Sequence, residues 1–272
     1  MAKISITGYT DKVSVAPGDE VSAQISVENA TSAHVEIVRI IHGDEHPDGP
    51  GFIEEVVPSS VSGDHAVRKQ FVDIGNAVVV DDPSGRLALT DSFTMYAFVF
   101  PTTPDKGRQV ILGRYSLTDN VGYAFGIDSH SRLVFWVADG KDSDEIASQI
   151  PLIHHTWYFV AVSYDAGSGR AVLHQQAVIN PYNGRLGLVA PFDHNATVEQ
   201  KLRVRPAAAS TPFLWAAATN SAPVRGTFKD FIFNGKIDRC GVVSGALSLD
   251  AMQEIQASGG ASNHVIAAWD TS

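Results

Sequence analysis

Two stretches decide the fold: Phe93-Thr94-Met95-Tyr96-Ala97-Phe98-Val99-Phe100-Pro101 and Trp157-Tyr158-Phe159-Val160-Ala161-Val162-Ser163-Tyr164-Asp165. Both read as strands with a period of two, and the second runs into the glycine-rich turn Asp165-Ala166-Gly167-Ser168-Gly169. Outward from them the same period recurs at Gly122 to Ile127, Arg132 to Ala138, Ala171 to Gln176, Phe213 to Ala218 and Phe228 to Phe233. Before them it marks Lys3 to Tyr9, Val21 to Glu28 and His34 to Ile41. Turn-formers separate the segments, among them Pro17-Gly18-Asp19, Asp82-Pro83-Ser84-Gly85 and Asn183-Gly184. Many short strands between turn signals indicate an all-β sandwich or barrel. One helix is expected near the end, N-capped by Ser248, with Asp250 in its first turn, and stopped by Gly259-Gly260.

The composition narrows the function classes. The chain of 272 residues, 44% apolar, has room for one large or two smaller domains. No apolar run approaches the roughly 20 residues of a bilayer span, so no membrane partner is expected. A net charge of −10, with twenty basic residues scattered singly or in pairs, argues against nucleic acid. The start, Met1-Ala2-Lys3-Ile4-Ser5-Ile6-Thr7, alternates like a strand rather than a signal peptide. A single cysteine, Cys240, excludes an internal disulfide and suits a cytoplasmic location. As a small apolar side chain it is expected to pack in the interior.

The organisation changes near residues 70 to 80. Residues 1–71 are expected to form a small immunoglobulin-like β segment, opened by Ser14-Val15-Ala16-Pro17-Gly18-Asp19-Glu20-Val21. They supply too few strands for a complete sandwich. Residues 72–272 are expected to form the larger sandwich.

Several groups of residues invite chemistry. His42-Gly43-Asp44-Glu45-His46-Pro47-Asp48 places imidazoles and carboxylates close together, so His42, Asp44 and His46 are the candidate metal ligands. Its glycine and prolines make it a loop, in which Asp44 and Asp48 would otherwise cap backbone amides. Asp128 and Asp238 are candidate calcium ligands if further oxygens converge on them. His154-His155 reads as a turn before a strand. No Glu-x-Asp-x-Glu run, Gly-x-Ser-x-Gly elbow, His-Glu-x-x-His helix or phosphate loop occurs in the sequence. On a concave sheet face Tyr96, Trp136, Tyr158 and His174 would be the residues to bind a carbohydrate or another ligand.

In their order and spacing, the strands from Phe93 to Pro101, Ile111 to Tyr115, Gly122 to Asp128, Arg132 to Val137 and Trp157 to Asp165 resemble laminin-G-like domains of the concanavalin A-like group. Phe228 to Asp238, Ala246-Leu247-Ser248 and Ala267-Ala268-Trp269-Asp270 continue the resemblance. It implies that Trp157 is buried in the core, that Asp165 sets a hairpin turn and that Asp238 is structural. It also implies that the strand near His264 to Trp269 returns beside the strand near Ala77 to Val80.

Ile6-Thr7-Gly8-Tyr9, Val38 to Asp44 and Pro47-Asp48-Gly49-Pro50-Gly51 resemble the start of the N,N-dimethylformamidase large (beta) subunit family. The likeness continues through Arg185-Leu186-Gly187-Leu188. That family is much longer, and its iron, held by tyrosines and a glutamate, lies C-terminal to everything here. The resemblance therefore implies a non-catalytic accessory portion of an amidohydrolase, without iron of its own. Its partner would be the catalytic domain or the small subunit. Candidate docking surfaces are Phe52-Ile53, the Phe192 loop and Pro206 to Phe213, unless these plug the edges of the sandwich. The alternative is a laminin-G-like module that binds carbohydrate or another ligand.

Overall fold

The structure, a computed structural model, describes residues 3–70, 75–178, 194–220, 228–260 and 263–271. The expected turn at Asn183-Gly184, the stretch from Arg185 to Leu188 and Phe192 lie outside the described residues. The chain divides into two compact units, Met1–Val72 and Asp73–Ser272.

The first unit contains β1 (Ser5–Thr10), β2 (Ala23–Glu28), β3 (Ser32–Val35), β4 (Ile37–His42), β5 (Ile53–Val57) and β6 (Gly63–Ala66). β1 pairs with β2, β3 with β6 and β4 with β5, all antiparallel, giving three two-stranded ribbons among the described residues. The turn at Pro17-Gly18-Asp19 forms as its residues dictate. Gly18 takes φ +97°, and the Asp19 carboxylate accepts the Ala16 amide at 3.1 Å. The expected single strand from His34 to Ile41 is instead two strands that break at Glu36 and pair with different partners.

The second unit opens with β7 (Val78–Val80), β8 (Phe93–Pro101), β9 (Gln109–Ser116), β10 (Val121–Ile127), β11 (Arg132–Asp139), β12 (Ser143–Pro151) and β13 (Tyr158–Asp165). It continues with β14 (Arg170–Ala177), β15 (Ala196–Lys201), β16 (Phe213–Trp215), β17 (Ala218–Asn220), β18 (Phe228–Asp230), β19 (Gly235–Ser244), α1 (Leu249–Ala257) and β20 (Val265–Trp269). One sheet has the order β12-β11-β10-β9-β16-β7, with β17 against β9 and β18 against β17. The other has the order β15-β14-β13-β8-β19-β20.

The period-two pattern becomes the core. Phe93, Met95, Ala97 and Val99 of β8 share an interior with Tyr158, Val160, Val162 and Tyr164 of β13, Phe125 and Ile127 of β10, and Phe135 and Val137 of β11. Burying one such large side chain contributes about 1.5–3 kcal/mol. The Phe93 ring lies 5.0 Å from Tyr123, 6.0 Å from Phe135 and 5.7 Å from Tyr164, which ties the two sheets together. Cys240 is fully buried in this interior, and burial pushes its thiol up to about 12.

The hairpin between β13 and β14 is set by Asp165. Its carboxylate accepts the Gly167 amide at 2.9 Å, the Ser168 hydroxyl at 2.8 Å and the Ser92 hydroxyl at 3.2 Å. The Ser168 hydroxyl, first among these, holds the Asp165 carboxyl below the usual aspartate range. Helix α1 begins as its sequence requires, with the Ser248 hydroxyl accepting the Ala251 amide. It ends where Gly259, at φ +69°, and Gly260 donate their amides to Gln256 and Ile255.

Three expectations need correction. β20 pairs with β19, whereas β7 pairs with β16 in the opposite sheet. The two ends thus meet across the core, where Trp269 stacks on Phe213 at 5.9 Å and meets Trp215 at 5.0 Å. The segment from Phe213 to Ala218 is broken by Ala216 at φ +60°, and that from Phe228 to Phe233 by Phe231 at φ +52°. Trp157 is only partly buried, because it precedes β13 and packs over Phe100 at 5.5 Å instead of entering the interior.

Sheet closure leaves no room at Gly113, which faces Ala124 and Leu214 on its two neighbours. A Cβ there would lie 2.8 Å from the Tyr123 carbonyl oxygen and 2.9 Å from Ala124. Gly113→Ala is expected to destabilise the second unit by about 1–3 kcal/mol, as overpacking does. Chemical denaturation of the variant checks this, and an unchanged midpoint contradicts it.

Candidate functional site

The four residues proposed for a ligand platform are positioned by the sandwich, but they are not on its surface. Tyr96, on the outer face of β8, is 1% exposed, and its hydroxyl donates to the Gly260 carbonyl at 2.6 Å. It belongs to a second apolar layer with Phe98, Phe159, Val172, Met252 and Ile255, so helix α1 covers the sheet face where it sits. His174 lies on the same face of β14. Its Nδ1 is 2.8 Å from the Thr197 hydroxyl, and burial lowers its pKa and favours the neutral ring. Tyr158 faces the interior, with its hydroxyl accepting the Ile153 amide at 3.1 Å. Burial pushes that phenol up to about 12.

Trp136 sits on the outer face of the other sheet. It is 3% exposed, with the Arg108 guanidinium 4.8 Å above its ring and Tyr115 at 5.9 Å. The four side chains are therefore split between two outer faces and the core, and each is buried. An aromatic platform for a sugar needs exposed rings, so this set does not form one. The alternation that revealed these residues is the same for core and platform, which is why sequence alone could not separate the two.

The candidate metal loop is a hydrogen-bonded turn. His42 Nδ1 contacts the Gly51 carbonyl at 2.9 Å, and the Asp44 carboxylate accepts the His46 amide at 2.9 Å. His46 Nδ1 in turn accepts the Asp48 amide at 3.2 Å. Asp44 thus caps a backbone amide as its loop position allows, while Asp48 donates its own amide instead. Among the described residues no three His, Cys, Asp or Glu side chains are grouped so as to hold a metal ion.

Each candidate calcium ligand pairs with an arginine, Asp128 at a turn of one sheet and Asp238 in a strand of the other. Asp128 is 4% exposed and closes the tight turn between β10 and β11. It accepts the amides of His130 at 2.8 Å and Arg132 at 2.9 Å, and pairs with the Arg132 guanidinium at 2.6 Å. Burial alone would raise its pKa, but the Arg132 amide, the Arg132 side chain and the His130 amide together carry it below the usual aspartate range. Asp238 accepts the Arg239 amide at 2.8 Å and pairs with the Arg239 guanidinium at 3.0 Å. Its place beside Arg239, at φ +38° in a bulge of β19, makes it a backbone clamp.

Four of the described tyrosines have hydrogen-bonded hydroxyls, whereas the buried Tyr164 hydroxyl has no partner. The Tyr96, Tyr115, Tyr123 and Tyr158 hydroxyls bond respectively to Gly260, Asn120, Leu87 and Ile153. None of these partners is a carboxylate.

Of the docking surfaces, Phe52 and Ile53 are exposed, at 47% and 42%. The stretch ending at Phe213 plugs the sandwich instead. Phe213 is fully buried in β16, and Ala209 is buried with its carbonyl accepting Arg114 Nε at 3.0 Å.

The profile of the concanavalin A-like lectin/glucanases superfamily matches residues 73–175, which hold the central strands of both sheets. The second unit is a concanavalin A-like sandwich. Over 258 residues the chain is 34% identical to the N,N-dimethylformamidase beta subunit of Paracoccus aminophilus, covering 94% of this chain and 34% of that protein. It is 33% identical to the beta subunit of Alcaligenes sp over the same lengths. The chain thus spans about a third of the length of these curated relatives. Among solved structures, the CBM40 of Ruminococcus gnavus IT-sialidase bound to α2,3-sialyllactose superposes with a TM-score of 0.45 at 13% identity, covering 66% of this chain and 96% of that one.

Two substitutions test these roles. Trp157→Ala removes a partly buried ring and is expected to cost about 2 kcal/mol, below the 3–5 of a fully buried tryptophan. A melting temperature equal to the wild type's contradicts the packing role. Asp128→Asn removes a carboxylate whose pKa is lowered on folding. Its stabilisation is present above the unfolded value near 3.8 and is lost as pH falls through the folded value. Denaturation is therefore expected to show a wild-type advantage at pH 7 that shrinks below about pH 4.

Proposed function

We propose that this chain is a non-catalytic accessory portion of a formamidase-like amidohydrolase, serving to dock and position a catalytic partner. The observation that carries the reading is the match itself. Nearly the whole chain aligns, at 34% identity, with only a third of a protein named as the beta subunit of N,N-dimethylformamidase. Supporting it, the groups whose ionisation is most displaced, Tyr123, Tyr158 and Cys240, owe this to burial in the core. They do not converge on a cleft, where displaced ionisation would point to catalysis. The partner is the catalytic region or the small subunit of such an enzyme, in a cytoplasmic setting.

The purified chain is expected not to hydrolyse N,N-dimethylformamide and not to carry stoichiometric iron. A discontinuous assay for released dimethylamine, together with elemental analysis, checks both. Turnover accompanied by about one iron per chain would overturn the accessory reading, because it would require the site on this chain.

A further inference from the structure

The start of β19 carries a chemically labile pair of residues, Asn234-Gly235. An asparagine before a glycine is prone to deamidation, because no Cβ shields the glycine amide from the asparagine carboxamide. Packing fixes the second residue of the pair. A Cβ on Gly235 would collide with the Phe100 carbonyl oxygen and lie 2.8 Å from the Phe233 ring. The pairing of β8 with β19 thus imposes a glycine directly after Asn234, and both residues are exposed.

The surroundings hold that asparagine through main chain and side chain alike. Its Oδ1 accepts the Thr102 hydroxyl at 2.7 Å, and its carbonyl accepts the Thr102 amide at 2.9 Å. Its own amide donates to Gln109 Oε1 at 2.9 Å. Gln109 is fully buried and is itself fixed, since its Nε2 donates to the Thr103 carbonyl at 2.9 Å. A carboxamide restrained in this way has little freedom to carry its Cγ onto the Gly235 nitrogen.

We propose that Asn234-Gly235 is a deamidation site that the fold keeps latent, guarded by the Thr102 hydroxyl and the Gln109 side chain. When this end of β19 opens, the Gly235 amide nitrogen loses its proton to water and attacks Asn234 Cγ. A C–N bond forms, the side-chain nitrogen takes up a proton and leaves as ammonia, and a succinimide remains. Water then opens the ring at one carbonyl or the other, giving aspartate or isoaspartate, with no oxidant or reductant required. Aspartate keeps the length of the main chain. Isoaspartate inserts a methylene directly before the register in which Gly235, Lys236 and Ile237 meet Pro101, Phe100 and Val99. A shift there reaches the interior, because Val99 is fully buried.

The test incubates the whole 272-residue chain at mildly alkaline pH, folded and in urea. Mass spectrometry of proteolytic peptides follows the exchange of amide for acid at Asn234. In urea, Asn234 and the other Asn-Gly pair of the sequence, Asn183-Gly184, are expected to react at similar rates. In the folded chain Asn234 is expected to react at least about tenfold more slowly than in urea, because only the opened fraction reacts. Thr102→Val removes the hydroxyl, keeps the volume and is expected to raise the folded rate about two- to tenfold. Thr102→Ser keeps the hydroxyl and is expected to return the rate to the wild-type value.

A folded rate at Asn234 equal to the rate in urea would overturn the proposal. So would a Thr102→Val chain that melts as a folded protein and reacts no faster than the wild type. The comparison of folded and urea-treated wild type needs no variant, so it decides whether the fold keeps the site latent even if Thr102→Val does not fold.

Discussion

The contacts of the Phe93 ring with Tyr123, Phe135 and Tyr164 are the interaction on which the larger unit depends. Phe93 and Tyr164 belong to one sheet, and Tyr123 and Phe135 to the other, with all four rings within 6.1 Å of a neighbour. Tilted and edge-on aromatic pairs add about 0.5–1.5 kcal/mol each beyond the area they bury. The cluster also fixes register, because a slip of one residue in β8 would turn Phe93, Met95, Ala97 and Val99 outward together. Hydrogen bonds to the same rings fasten the connections: the Tyr123 hydroxyl reaches the Leu87 carbonyl at 2.8 Å and so anchors the segment between β7 and β8.

The outer face of the six-stranded sheet follows from that register. Once the odd-numbered residues of β8 face inward, Tyr96 and Phe98 must face outward, and two large rings in water would be unfavourable. Met252 and Ile255 of α1 supply the cover, and the Tyr96 hydroxyl ties to Gly260 just beyond the helix. The same ring needs a neighbour without a side chain: a Cβ at Gly241 would fall 2.6 Å from Tyr96 Cζ. The helix thus occupies the face on which an exposed ligand platform would otherwise stand. Arg239, whose guanidinium lies 4.6 Å over Phe98, extends the cover at the bulge of β19.

Legibility in the sequence tracked burial. β8, β10, β11, β13 and β14 are buried along most of their length, so their apolar residues announce them, as Phe93 to Pro101 does. β12 and β15 are edge strands carrying Ser143-Asp144-Glu145 and Glu199-Gln200-Lys201, half turned to water, and they give no such signal. The helix was legible because its caps are local chemistry. The sheet that received β20 was not, because pairing between distant segments leaves no mark in either one. Candidate site residues failed for a related reason. Tyr96, Trp136 and Tyr158 have the side chains of a binding platform, and only their neighbours decide whether they are core. Asp165 and Asp44 were legible because an aspartate one or two residues before a glycine or a turn amide has few other uses.

The two units obey the same alternation with opposite results. In the second, β8 has partners on both edges and apolar cover on both faces, so each buried residue reinforces its neighbours. In the first, β4 and β5 place Arg39 opposite Glu55 and Ile40 opposite Glu54, mixing charge with apolar surface on both faces of one ribbon. That mixture cannot be buried as it stands, because an acid taken from water without a partner costs more than the adjacent isoleucine returns. The Lys69–Glu28 ion pair holds the unit at its rim, where solvent screens the charges and the stabilisation is small. Surface ion pairs of this kind set orientation more than they supply stability. A unit built from them and from open apolar walls therefore has its geometry fixed locally, with Val27 the one large apolar side chain buried among its described residues.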